Sequence, residues 1–126
     1  MKRRLAREKA FQALFQMNSS EIGADEAIAH VLNDEGKDAF LTELVEGVLE
    51  HRNEIDDWIE THLENWTFTR LARVEKTLLR MAAYEIKFNE DVPSQVAINE
   101  AVELAKIFGE DQSGKFVNGV LSKMVK

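Results

Sequence analysis

The sequence predicts an all-α fold, a compact bundle of about seven helices. Three observations carry that expectation. Proline occurs once and glycine six times in 126 residues, so breakers of regular structure are scarce. Apolar residues recur at helical i, i+3, i+4 spacing, as in Leu71, Val74, Leu78, Met81 and Ala82. No stretch alternates apolar and polar residues between turn signals, as a half-buried strand would. The length suits a single domain, 1–126, with a real core.

A first helix is expected from Arg3 to Met17, ended by Asn18-Ser19-Ser20. A second covers Asp25 to Leu32 and is broken by Asn33-Asp34-Glu35-Gly36. Phe40, Leu41, Leu44, Val45, Val48 and Leu49 mark a third. Ile55, Trp58, Ile59 and Leu63 mark a fourth, after a joint near Asn53. Trp66-Thr67-Phe68-Thr69 reads as a linker, with Thr67 or Thr69 able to cap the next helix. The Leu71 stripe then continues as a long helix to about Phe88. Asn89 to Val92 is a loop, and Pro93 suits the first turn of a helix that reaches Phe108. Gly109 ends that helix as a C-terminal glycine. Glu110 to Ser113 is a loop, and Phe116, Val117, Val120, Leu121 and Met124 mark a last helix. Short loops make neighbouring helices antiparallel. The linker at Trp66 divides the domain into helical halves of about 1–64 and 67–126.

Several function classes are excluded at once. The chain has no cysteine, so disulfides, thiolate metal sites and a thiol nucleophile are out. His30, His51 and His62 are scattered without metal-ligand spacing, and no metal or cofactor is expected. There is no phosphate-binding glycine loop and no nucleophile elbow, so no motif supports an enzyme. No apolar run can span a bilayer, and the basic start lacks the apolar segment of a signal peptide. A cytoplasmic protein is the expectation.

The charge is unevenly spread. The formal net charge is −7, yet Lys2, Arg3, Arg4, Arg7 and Lys9 crowd the first nine residues, opposed only by Glu8. From Glu21 to Glu64 the only basic residues are Lys37 and Arg52. A helix N-terminus carries partial positive charge, so each cation there costs about 0.3–1 kcal/mol. Folding alone would favour acids at this position. Two readings remain open: a frayed, solvated terminus, or a site for a polyanion. A membrane surface fits less well, because the opposite face is alanine-rich and poor in aromatics.

Other residues also allow two readings each. Arg4, Arg7, Phe11 and Phe15 share a stripe beside the apolar face Ala6, Ala10, Ala13, Leu14 and Met17. Phe11 and Phe15 either pack in the core or stand exposed, and an exposed pair would support a homodimer that hides the polyanion site. Glu75 lies within the apolar stripe of its helix, and a carboxylate there needs a partner. The partner is either internal or another protein. Lys115-Phe116 pairs a cation with an aromatic, suited to a phosphate and a stacked base, although a lone phenylalanine is commonly core. Glu54, Asp56, Asp57, Glu60 and Glu64 read as a solvated acidic face that would repel a polyanion from all but the basic surface.

The stretch VPSQVAINEAVELAKIFGEDQSGKFVNGVL, Val92 to Leu121, closely resembles the C-terminal signature of the NusB family of bacterial transcription antitermination factors. LARVEKTLLRMAAYEI, Leu71 to Ile86, is similar to the family's preceding helix, and RRLAREKAFQALFQ, Arg3 to Gln16, to its arginine-rich first helix. The likeness is weaker between Asn18 and Thr69. It implies two three-helix-type subdomains and a non-enzymatic factor. That factor would bind the single-stranded boxA RNA of ribosomal RNA operons together with NusE, a small-subunit ribosomal protein. It would act within an RNA polymerase antitermination complex to promote read-through. The resemblance assigns RNA contacts to Lys2, Arg3, Arg4, Arg7, Lys115 and Phe116, and NusE contacts to Phe15 and Glu75. Gln112 departs from family members that carry an acid there, so a role in RNA contact does not transfer to it. Competing expectations are a protein-only helical adaptor and an accessory domain of the ribosomal RNA methyltransferase type. A chain ending at Lys126 leaves no room for a methyltransferase fold.

Overall fold

The computed structural model describes residues 1–33 and 35–125. Asp34, part of the expected break after the second helix, lies outside the described residues. Seven α-helices and one short 3-10 turn are present, with no strand among the described residues. The chain divides into two compact units, Met1–Glu50 and His51–Lys126.

The first unit holds α1 (Arg3–Ser19), α2 (Ala24–Leu32) and α3 (Ala39–Glu50). Helix α1 packs on both α2 and α3. It buries Ala6, Ala10, Phe11, Ala13 and Leu14, and the alanines let its backbone come close to its neighbours. Helix α3 supplies the larger side chains, Leu41, Leu44, Val45 and Val48. Phe11 is only 2% exposed, so the stripe it shares with Phe15 is not an open one. Phe15 is half-buried and stacks on Phe11 with ring centroids 5.5 Å apart.

The loops of this unit follow from local chemistry. Asn33 takes a left-handed conformation (φ 45°) and returns its N–H to the Ala29 carbonyl, closing α2. Asp38 caps α3: its Oδ1 accepts the Leu41 N–H at 2.9 Å and its carbonyl accepts that of Thr42.

The second unit holds α4 (Arg52–Glu60), the 3-10 turn Phe68–Arg70, α5 (Arg73–Phe88), α6 (Ser94–Phe108) and α7 (Ser113–Met124). Helix α5 is central and packs on α4, α6 and α7, while α6 and α7 pack on each other. It is accordingly buried on most sides from Thr77 to Glu85. Neither Thr67 nor Thr69 caps α5; its N-cap is Ala72, with no side-chain bond. Phe68 turns inward instead and is buried in the 3-10 turn. Pro93 is the residue before α6, and its carbonyl accepts the N–H groups of Val96 and Ala97. The acidic face is not wholly solvated. Asp56 makes a bidentate pair with Arg80 at 2.8 and 2.9 Å, and that guanidinium also lies 4.9 Å from the Phe68 ring centre. One arginine thus ties α4, the 3-10 turn and α5 together.

Candidate functional site

The basic start of α1 is anchored, not frayed. Nothing caps it from its own side chains, and its first turn contains no acid. The offset comes from the start of α3. The Met1 ammonium lies 3.6 Å from Asp38 Oδ2, the carboxylate that also caps α3. The guanidinium of Arg3 sits 4.8 Å from the centre of the Phe40 ring, and that of Arg7 sits 5.0 Å from it. Cations over an aromatic face gain about 0.5–2 kcal/mol each, enough to balance an unfavourable helix dipole.

The cations of this segment have different fates. Lys2, Arg3 and Arg4 are exposed. Arg7 is 5% exposed, beneath the surface beside Phe40. Lys9 faces another way: its Nζ donates to the Val31 carbonyl at 3.0 Å and pairs with Glu35 at 3.3 Å. It therefore closes the C-terminal turn of α2, where a cation is favoured.

In the second unit, Lys115 is exposed and Phe116 half-buried in the first turns of α7. Both line an open cleft of about 450 Å³ shared with residues 62–66. No ion pair or hydrogen bond holds the Lys115 side chain among the described residues. Glu75, in the first turn of α5, is half-buried, and its Oε2 accepts the Ser113 hydroxyl at 3.0 Å. The Ser113 Oγ in turn accepts the Glu110 N–H at 3.0 Å, while the Ser113 N–H donates to the Glu110 carbonyl. Glu75 thus has an internal partner, a hydroxyl and not a cation, and it fixes how α7 begins. Among the described residues, no group of three or more His, Asp or Glu is placed to hold a metal ion. No helix of the described residues is long and apolar enough to cross a membrane.

Three of these residues carry little or no site signal in the sequence. Phe40 reads only as one apolar position of α3, and nothing in its spacing signals two arginines above it. Ser113 reads as part of a loop, yet it opens α7 and is 2% exposed. Trp66 reads as linker; a large aromatic in an otherwise polar connection is the one signal it offers.

The NusB family profile matches residues 4–126. The transcription antitermination protein NusB of Bacillus subtilis (strain 168) is 55% identical over 124 residues, covering 98% of this chain and 95% of that protein. A solved structure of NusB from T. maritima superposes with a TM-score of 0.88 at 38% identity, covering 98% of this chain and 90% of the other. A crystal structure of the antitermination factors NusB and NusE in complex with dsRNA superposes with a TM-score of 0.86 at 32% identity, covering 97% and 94%.

Proposed function

The chain belongs to the NusB family, and from that premise we propose that it is a transcription antitermination factor that binds boxA RNA together with NusE. The observation that carries this reading is the anchored basic start of α1. Exposed Lys2, Arg3 and Arg4 stand where a helix dipole opposes them, on a segment anchored by Arg3 over the Phe40 ring and by the Met1 ammonium beside Asp38. The ring contact only offsets the dipole's cost; an anionic ligand gives the exposed cations a use. The related complex of NusB, NusE and dsRNA supports RNA as the class of ligand and NusE as the partner.

In this proposal Lys2, Arg3, Arg4 and Lys115 neutralise phosphates, and Phe116 offers a face to an unpaired base. Arg7 acts from below, holding the Phe40 ring that Arg3 rests on. Phe15 and Glu75 contact NusE. The protein carries out no reaction of its own, works in the cytoplasm on nascent RNA, and lends the polymerase complex its RNA grip.

Two variants separate the two contacts. Arg3→Glu with Arg4→Glu is expected to abolish binding of single-stranded boxA RNA and leave NusE binding intact. Glu75→Gln keeps an acceptor for Ser113 but removes the charge, and is expected to weaken NusE binding while the melting temperature holds. If the pair with NusE holds RNA equally well after the arginine reversal, and the chain alone holds none, the protein-only adaptor is favoured.

A further inference from the structure

Trp66 is the most exposed aromatic of the chain at 56%, and it lines the same cleft as Phe116. The preceding Asn65 sits in the left-handed region (φ 66°), a conformation that costs asparagine little and most residues more. This turn brings the chain past the end of α4 so that Trp66 forms one wall of the cleft, while Gln112 and the start of α7, with Lys115 and Phe116, form the other. No ring contact joins Trp66 to Phe116 among the described residues. Two aromatic side chains therefore border one opening without covering each other. The volume, about 450 Å³, falls in the range of sites that hold small organic groups.

The cleft's charges suit a nucleotide. Glu64 at its rim is answered by Lys123 at 3.1 Å, which leaves the unpaired Lys115 as the net charge facing solvent. The neighbouring cleft of about 400 Å³ differs: Glu110 and Asp111 there balance Lys106 and Lys115, and it has no aromatic ring. Lys115 borders both clefts, but of these two only the first sets an aromatic surface beside it, as a single-stranded RNA requires.

We propose that the cleft between residues 62–66 and α7 is a subsite for one unpaired nucleotide of the RNA, with Trp66 stacking its base and Lys115 at its phosphate. This rests on the RNA-binding reading above and extends it to Trp66, a residue outside the contacts proposed there. A flipped-out base stacked on indole gains affinity without neutralising a phosphate, so it leaves the salt dependence untouched.

The test titrates dye-labelled single-stranded boxA RNA with the full chain in the presence of NusE, at several salt concentrations. Wild type, Trp66→Leu and Trp66→Phe are compared, each with intact RNA and with a set of RNAs carrying one abasic nucleotide. Leucine keeps apolar bulk at the turn and removes the aromatic face. The expected result is a loss of about fivefold or more for Trp66→Leu, an unchanged salt slope, and recovery by Trp66→Phe. One abasic position is expected to weaken wild type but not Trp66→Leu. Equal affinity of wild type and Trp66→Leu, or abasic penalties identical in both, overturns the subsite while leaving RNA binding in place. Failure of the wild-type chain to bind the RNA at all overturns the RNA-binding reading and the subsite with it.

Discussion

Two guanidinium groups share the ring of Phe40, and this explains how a helix can begin with cations. Replacing Phe40 with leucine keeps a hydrophobe but removes the ring's electron-rich face. Stability is expected to fall by about 1–2 kcal/mol in urea denaturation, with RNA affinity falling several-fold as Arg3 loses its support. Phe40→Tyr should retain both properties. Lys9 provides the contrast, because it lies in the same basic run but serves the α2 carbonyl. Lys9→Met is expected to cost about 0.5–1.5 kcal/mol of stability and leave the salt dependence of RNA binding unchanged. If that slope falls, Lys9 belongs to the RNA surface after all. The sequence exposed the charge anomaly because the dipole rule is local. It did not separate Arg3 from Arg7 or Lys9, since their fates depend on α2 and α3, which lie far along the chain.

Helix α7 begins where it does because of one side-chain relay. Glu75 accepts from Ser113, Ser113 accepts from the Glu110 N–H, and Gly109 makes room for the Ser113 side chain. A Cβ on Gly109 would lie 2.7 Å from both Cβ and Oγ of Ser113 and 2.9 Å from the Ala105 carbonyl. Its φ of −101° is open to any residue, so glycine is required here for close approach and not for a left-handed turn. Gly109→Ala is expected to destabilise the protein by about 1–3 kcal/mol, read by thermal denaturation, and to misplace Lys115 and Phe116 with it. Unchanged stability would mean that the α6–α7 joint adjusts freely. Helices were legible as elements because their apolar periods are long: α3, α5 and α6 lie within a residue or two of their expected ends. Their joints were less so. The inward Phe68 and the Ser113 start depend on partners from α5, which no local pattern reveals.

At the scale of the whole molecule, an acidic chain of net charge −7 keeps three exposed cations at one helix start and a fourth at another. The exposed Glu54, Asp57, Glu60 and Glu64 make their own surface a poor polyanion site. The family, and with it the RNA and the partner, was legible in the motifs of α1, α5, α6 and α7. The Trp66 cleft was not, since its walls come from segments separated by some fifty residues of chain. The central claim is that Lys2, Arg3, Arg4 and Lys115 bind RNA through its phosphates. Equilibrium titration of single-stranded boxA RNA, with NusE present and salt varied, tests it most directly. Four phosphate contacts give an expected slope of log affinity against log salt of roughly −3. An affinity indifferent to salt would contradict the claim.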